Sequence, residues 1–387
     1  MFQALYNSLS GLFSFSKSLD TVSNNVANMN TPGFRGSDSF FENLGGEHGT
    51  RIVGAGLRTT AGDLRQTGNA TDVAVDGAGY FVLRDSSGAL HYTRAGQFIF
   101  DDRGVLVDSV SRYEVMSINS TGQLSQLNLD GLRTLDARPT TSVRLSGNLS
   151  PTSTGSSVSD IKVYDAAGTV HTLRINTSAP VAAVGSGRSY RVTVTDETGA
   201  QVGSGDLRFS TSGMLETGSG SIEVTLSAAA NSQKVTLGFG TPGTFTGTTS
   251  LSGLTDSLTA TVENGSPVLG INALAFDSKG VLQVTYSSTE KRQGAQLALA
   301  AFQSESTLEL SSGRMLSDVE SQRSELGRAG STVFGNIQGG SLEMSNIDLT
   351  QEFADMLIIQ RGYQASSRVM TVSNEMIEQL YNSTRGG

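Results

Sequence analysis

The residue types that usually carry chemistry are few in this chain and widely spaced. The three histidines are His48, His91 and His171, and none stands in an H-x-x-H or H-E-x-x-H spacing. His91 and His171 alternate with strand-forming residues, so we expect solvated strand positions there rather than metal ligands. The chain contains no cysteine, which excludes disulfides, thiolate metal sites and a cysteine nucleophile.

Short matches to catalytic and cofactor motifs lack the partners that those motifs need. Ser14–Lys17 fits S-x-x-K, but no S-D-N or K-T-G accompanies it, and it lies on a predicted helix. Gly77–Gly79 lacks the third glycine of a dinucleotide loop and the helix that follows such a loop. Asp101 and Asp102 form a predicted hairpin tip without the alternating ligands of a calcium loop. The sequence therefore predicts no catalytic, cofactor-binding or metal site, and we expect a protein that is not an enzyme and needs no cofactor.

Composition narrows the function classes further. The 387 residues suffice for two to four domains, and the net charge of −9 disfavours nucleic acid and anionic membrane surfaces, which attract basic faces. No stretch approaches the roughly 18–20 apolar residues of a membrane-spanning helix. The N-terminus lacks the cationic segment, apolar block and cleavage site of a conventional signal peptide. We therefore expect that, if exported, the protein uses another route and keeps its first helix.

Both ends of the chain carry helical periodicity, in residues 1–30 and 349–380. Six of the eight heptad positions counted from Phe2 are apolar, and the a positions counted from Leu349 are all apolar. The polar face of the first helix is nearly free of charge, since its charged residues are Lys17 and Asp20. Two interpretations stay open on this pattern: a helical hairpin that closes the fold of a monomer, and helices that pair with each other and with copies of the chain.

Between these helices, alternation with period two predicts short strands. Residues 71–145 and 271–306 read as one antiparallel β domain, and 146–270 as an inserted outer β domain with a thin core. Glycine-rich and polar segments at 31–70 and 307–348 read as extended connectors. The predicted fold is mainly β with terminal α-helices: residues 1–30 and 349–387 form a coiled-coil base, and discontinuous antiparallel β domains are nested outward from it.

Three motifs, in order along nearly the full length, resemble the signatures of the bacterial flagellar rod and hook protein family. They are Ser23–Arg35, then Gly77–Leu83 with Tyr92–Phe98, and finally Ser345–Phe353 with Ile359–Ala365. Within that family the inserted region favours a hook-type subunit, because rod members are shorter and Val163–Leu173 is similar to the opening of the hook outer domain. The first motif supplies a predicted signature connector of seven residues: Asn24, Asn25, Asn28, Thr31, Pro32, Gly33 and Phe34.

The resemblance implies a structural subunit of a flexible helical tube outside the cell that transmits torque from rod to filament. It implies as partners other copies of the chain, the distal rod, the hook cap, the hook–filament junction proteins and the flagellar export apparatus, with no nucleic acid and no membrane insertion. Alternatives are a distal rod-type subunit and a secreted β-rich adhesin with trimerising end helices. The predicted tube-core residues lie on the two end helices: Leu5, Leu9, Leu12, Leu19, Val26, Met356, Ile359, Tyr363, Met370, Ile377 and Leu380.

Overall fold

A computed structural model describes residues 2–43, 49–182, 187–226, 233–305, 308–311, 314–317 and 324–385. His48 lies outside the described residues. The chain divides into two compact units. One, which we call the terminal unit, comprises Met1–Leu132 and Asn272–Gly387, and the other, the inserted unit, comprises Arg133–Ile271.

The first part of the terminal unit is one helix followed by ten strands. Helix α1 ends where the chain reaches the Asn28–Pro32 turn, since proline cannot continue a helix. The elements are α1 Phe2–Ala27, β1 Ser37–Asn43, β2 Thr50–Leu57, β3 Leu64–Gln66, β4 Val73–Asp76, β5 Tyr80–Arg84, β6 Leu90–Thr93, β7 Phe98–Phe100, β8 Leu106–Asp108, β9 Glu114–Ile118 and β10 Leu124–Gln126.

The inserted unit is built from strands that form two five-stranded sheets and one short pair. Its strands are β11 Thr134–Leu135, β12 Ser142–Asn148, β13 Gly155–Tyr164, β14 Val170–Ser178, β15 Val181–Ala182, β16 Arg188–Thr195, β17 Gln201–Phe209, β18 Ser221–Leu226, β19 Gln233–Gly238, β20 Thr248–Thr249, β21 Thr259–Val262 and β22 Leu269–Gly270.

The chain then returns to the terminal unit and finishes in a long helix. Asp348 caps this helix by accepting from the Thr350 amide at 2.8 Å, as its position before the apolar repeat predicts. The elements are β23 Ala273–Phe276, β24 Val281–Thr285, β25 Lys291–Gln296, β26 Ala298–Phe302, β27 Glu309–Ser311, β28 Met315–Ser317, β29 Ser324–Arg328, β30 Asn336–Gly339, β31 Ser341–Glu343 and α2 Leu349–Arg385.

A ten-stranded sheet forms the core of the terminal unit. Seven of its strands lie side by side in the order β27-β28-β6-β5-β9-β8-β7. Strand β26 joins the sheet by pairing antiparallel with β5. Tyr80, Tyr92 and Phe302 are buried together, with the Tyr92 and Phe302 rings edge to face at 5.0 Å. Strands from before and after the insertion therefore share one core.

The inserted unit has a continuous core, which corrects our expectation of a thin one. Both of its large sheets contribute alternate residues to it, and β16 illustrates the rule by burying Tyr190, Val192 and Val194. The Tyr190 hydroxyl donates to Ser150 O at 3.0 Å and lies 2.9 Å from Ser250 Oγ, so its polar end is also satisfied. Strict alternation lets a few apolar residues per strand all face one side, and a low apolar fraction still fills a core.

Two segments differ from the predicted division of the chain. The sequence pattern predicts 133–145 as part of the inner β domain, but strand β12 lies in a sheet of the inserted unit, where Val143 and Leu145 are fully buried in the core. The predicted connectors form strands, since β1 pairs with β2, β3 with β31, and β4 with β30. The rest of the predicted domain division remains a prediction.

Candidate functional site: the junction of the two chain ends

Helices α1 and α2 pack side by side in antiparallel orientation. Three contacts give their register: Gly11 lies opposite Ser366, Phe15 opposite Gly362, and Asn25 opposite Glu352. A Cβ atom added to Gly11 would lie 2.9 Å from Ser366 Oγ, and one added to Gly362 would lie 2.5 Å from Phe15 Cζ. The two glycines therefore permit the close approach of the helices.

Small and polar residues form most of the buried face of α1. The buried residues of α1 are Ser8, Gly11, Ser14, Ser18 and Asn25, together with the apolar Val22. Small side chains allow two helix backbones to come closer than leucines would. The small uncharged side chains of residues 1–30 are consistent with such an approach, and the packing of the apolar heptad positions against a second helix remains a prediction.

The predicted tube-core residues occupy three kinds of environment within a single chain. Ile359 is buried, and the half-buried members are Leu5, Leu12, Leu19, Val26, Met356, Met370 and Ile377. Leu9, Tyr363 and Leu380 are exposed. Their role in a tube core remains a prediction.

Further apolar side chains of both helices are left without cover in the single chain. On α2 these include Ile358, Val369, Val372 and Met376, whose spacing of eleven, three and four places them along one side of the helix. On α1, Tyr6, Leu9 and Phe13 line a groove of about 450 Å³, whose other wall includes Ile52 of β2. Exposed apolar surface of this kind marks a site of association in soluble proteins.

A buried polar cluster joins the C-terminal end of α1 to the N-terminal end of α2. Asn25 Nδ2 donates to Ser37 O at 3.0 Å and to Glu352 Oε2 at 3.1 Å, and Asn25 Oδ1 accepts from the Ser37 amide. Arg58 Nη1 donates to the other oxygen of Glu352 at 2.5 Å and pairs through Nη2 with Asp38 at 2.7 Å. The hydrogen bond to Asp38 is the main reason why the pKa of Arg58 is raised.

A second cluster lies beside it and joins the β sheet to both chain ends. Arg35 Nη2 donates to Glu343 Oε1 at 2.7 Å, and Arg94 Nη1 donates to Glu343 Oε2 at 3.3 Å. All three side chains are at most 3% exposed. Burial lowers the pKa of the Arg35 guanidinium against the opposing attraction of Glu343. The Arg94 guanidinium also stacks over the Tyr80 ring at 4.9 Å.

Gly33 brings the chain after α1 against the backbone of the second cluster. Its φ of +73° favours glycine, and a Cβ atom there would collide with the backbone nitrogen of Ala95. The Gly33 amide donates to Glu343 O at 2.8 Å. The turn after Pro32 therefore lies directly on the β sheet and on the strand that leads to α2.

The other predicted connector residues have local or packing roles. Asn28 Nδ2 donates to Asn24 O at 3.0 Å and Thr31 Oγ1 donates to Asn28 Oδ1 at 3.2 Å, which closes the end of α1. Pro32 is half-buried, and Phe34 is fully buried. The six residues Asn25, Arg35, Arg58, Arg94, Glu343 and Glu352 form what we call the junction.

Our sequence reasoning missed the pairing within the junction. Arg35, Arg94 and Glu352 lie within the three signature motifs. Arg58 and Glu343 lie outside the motifs, and nothing in the sequence marks them as ion-pair partners beyond their charge. His91 and His171, which we expected to be solvated, are half-buried and each lies beside an aspartate, at 3.0 Å from Asp85 and 3.4 Å from Asp165.

Over the described ranges, we find no group of three or more histidine, aspartate or glutamate residues arranged to hold a metal ion. Neither α1 nor α2 combines the length and apolar character needed to cross a membrane.

Comparisons with known proteins place the junction in a family context. Three family models match in order: flagella basal body rod protein at residues 5–35, flagellar hook protein FlgE/F/G D1 domain at 74–132, and flagellar basal body rod FlgEFG protein C-terminal at 338–383. These three segments contain five of the six junction residues, Arg58 being the exception. The chain belongs to the flagellar rod and hook protein family.

Full-length relatives specify the member of the family that the chain resembles. The flagellar hook protein FlgE of Treponema pallidum is 28% identical, with all of both chains covered, and that of Salmonella typhimurium is 27% identical, with 97% and 98% covered. A solved structure, the Helicobacter pylori flagellar hook protein FlgE2, matches 72% of this chain and all of its own at 14% identity and a TM-score of 0.45. On the full-length relatives, the chain is a structural subunit of the flagellar hook.

Proposed function

We propose that copies of this chain assemble into the hook tube through the outer faces of α1 and α2, with the paired helices forming the inner wall. The observation that carries this proposal is the uncovered apolar side of α2, represented by Ile358, Val369, Val372 and Met376. A helix that buries one face inside its own chain and keeps a second apolar face needs a second partner. A neighbouring copy supplies one without any further component.

The two interpretations of the end helices are then compatible. Close approaches at Gly11–Ser366 and Phe15–Gly362 hold α1 against α2 within one chain. The uncovered face, together with the groove at Tyr6, Leu9 and Phe13, remains for contacts between copies. A contact between different patches on identical subunits repeats from copy to copy, and such a contact produces a helical polymer when it does not close into a ring.

Torque transmission requires a firm link between the tube wall and the outer parts of each subunit. We assign that link to the junction, because Glu343 and Glu352 bind cations from the connector and the sheet at buried positions. Breaking a buried, hydrogen-bonded ion pair costs several kcal/mol, about 3–5, so the link resists rotation of the helices against the sheet.

The same proposal extends to partners and location. In the assembled tube, the subunits at one end contact the rod and those at the other end contact the hook–filament junction proteins. The hook cap and the export apparatus act during assembly. In this proposal the inner wall is a coiled-coil base and the β domains are nested outward from it.

An assembly assay with matched variants tests the proposal. Val372 is 48% exposed, so Val372→Asp leaves the single chain folded but places a charge on the uncovered face. We expect no tubes in electron micrographs of Val372→Asp under conditions in which the unaltered chain polymerises. Val181→Asp, at an exposed valine of the inserted unit, is the control and is expected to assemble.

Normal tubes from Val372→Asp would contradict the proposed contact. Discrete trimers in place of tubes from the unaltered chain would instead favour an adhesin with trimerising helices. Circular dichroism of each variant establishes whether the monomer is folded before either result is interpreted.

A further inference from the structure

Several hairpins of this protein use the same turn with the same side-chain brace, and in three of them the second oxygen of the aspartate makes a further contact. Those three turns begin at Asp85, Asp165 and Asp277, and a glycine with positive φ follows three residues later in each. In each, Oδ1 of the aspartate accepts from the backbone amides two and four residues ahead, at 2.8–2.9 Å. This arrangement rigidifies the turn because the aspartate hydrogen bonds add to the backbone hydrogen bonds that close it.

The second oxygen of each aspartate faces the side chain six residues ahead. That side chain is His91 in the first turn, His171 in the second and Gln283 in the third, at 3.0, 3.4 and 3.0 Å. The glutamine amide donates to its aspartate at any pH. The side chain six residues after each aspartate therefore has to donate a hydrogen bond. A histidine can donate with one ring nitrogen, and its other ring nitrogen is then left for another contact.

His171 differs from His91 in what that second nitrogen meets. Nδ1 of His171 lies 3.3 Å from Glu197 Oε1, while Nε2 faces Asp165. His91 faces one carboxylate and stacks on the Tyr113 ring at 4.8 Å. A neutral imidazole has one donor and one acceptor nitrogen, whereas carboxylate oxygens only accept. Two carboxylates are both satisfied only when His171 donates from both nitrogens, as an imidazolium.

These three residues join two turns of the inserted unit. Asp165 lies in the turn between β13 and β14, and Glu197 lies in the turn between β16 and β17. Glu197 also accepts from the Thr172 amide at 3.2 Å through Oε2. Strands β14 and β16 are paired, so the two turns are neighbours at one end of the same sheet.

Both carboxylates keep their charge in the range in which histidines ordinarily titrate. The pKa of Glu197 is lowered by its own backbone amide, by the Thr172 amide and by His171. For Asp165, burial opposes ionisation, but hydrogen bonds from Thr169, His171 and Ala167 outweigh it and lower the pKa. Histidine is the side-chain type that ordinarily changes charge between about pH 5 and 8, and His171 is the histidine that faces both carboxylates.

We propose that His171 is a proton-dependent clasp that holds the Asp165 turn to the Glu197 turn when protonated and releases one of them when neutral. A folded state that needs the bound proton is stabilised at low pH, and this contribution is lost as the pH rises and the proton leaves. The clasp makes the stiffness of this end of the inserted unit depend on pH, independently of assembly.

Hydrogen exchange on the full-length chain tests the clasp at the Thr172 amide. We expect its protection factor, which is corrected for the intrinsic effect of pH, to be about two- to fivefold higher at about pH 5.5 than at about pH 7.5, as for an exposed ion pair. This ratio is expected to fall to about one in His171→Gln and in Glu197→Gln, and to persist in His91→Gln. Protection of the Tyr190 amide in the core serves as the check on folding.

His171→Gln removes the histidine and Glu197→Gln removes the charge of its second carboxylate partner. Either variant alone can therefore decide the question if the other fails to fold. A ratio near one in the unaltered chain would overturn the proposal. An unchanged ratio in Glu197→Gln would overturn it too, because the second carboxylate is what distinguishes His171 from His91.

Discussion

Arg35 donates to Glu343 across 2.7 Å, and this buried ion pair joins residues that are 308 positions apart in the chain. Arg94 approaches the other oxygen of the same carboxylate, so one acidic residue holds two cations away from water. The Gly62 amide adds a third donor at 3.0 Å to the oxygen that Arg35 uses. Glu343 is thus the residue on which the N-terminal connector, the central β motif and the C-terminal strand converge.

We predict that Glu343→Gln destabilises the terminal unit strongly. The change leaves two buried guanidinium groups facing a neutral amide, and an uncompensated buried charge costs about 3–5 kcal/mol. Urea unfolding followed by circular dichroism measures the change. Glu42→Gln is the control, because its partner Arg51 and Glu42 itself are about half exposed, and such pairs contribute about 1 kcal/mol or less. Equal effects from the two variants would contradict the structural importance of Glu343.

We predict that Gly362→Ala destabilises the helix pair, although alanine favours a helix over glycine by about 1 kcal/mol. The new methyl group would lie 2.5 Å from Phe15 Cζ, and overpacking of this kind costs about 1–3 kcal/mol. Thermal melting of the helical signal measures the effect, and Ser367→Ala on the exposed side of α2 controls for propensity. Adding Phe15→Ala is expected to reverse part of the loss; no coupling between the two changes would show that the contact does not limit packing.

We predict that the terminal unit loses stability in alkali through Tyr80. Burial, followed by the charge of Glu305, raises the pKa of Tyr80 from 10.0 to about 12, against Arg94 and Arg35. The folded state therefore keeps the phenol proton more tightly than the unfolded state, so the contribution is complete below pH 10 and is lost as pH rises toward 12.

Stability measured against pH in the unaltered chain and in Tyr80→Phe checks this prediction. The variant is expected to show a shallower decline over that alkaline range, because it has no proton to lose at this position. Identical slopes would mean that Tyr80 ionises as easily in the folded chain as in the unfolded one.

Much of the fold followed from local pattern. Heptad spacing predicted α1 and α2, Asp348 marked the start of α2, and period-two alternation predicted strands such as β5, β14 and β16. These features depend on residues close together in the chain, where helical or strand geometry sets which side chains share a face. The three signature motifs also carried the family, since the matching models lie over the same segments.

The strands within the connectors could not be predicted in the same way. Among the connector strands, β3 pairs with β31, and β30 pairs with β4 of the predicted 71–145 domain. Each partner lies more than two hundred residues away, and strands as short as β3 and β31 have no distinctive pattern of their own. Strand β12 was assigned to the wrong unit for a related reason, because Val143 and Leu145 would suit either core.

By itself, then, the sequence determined where helices and strands form, which family the chain belongs to and which faces are apolar. The tertiary structure decided which faces are used within one chain: α1 turns Gly11 and Asn25 toward α2 and leaves apolar side chains such as Phe13 exposed. It also decided that Arg35 and Arg94 share Glu343. Periodicity determines the faces of a single element, whereas a close helix approach and a buried ion pair depend on distances between elements that only the folded chain sets.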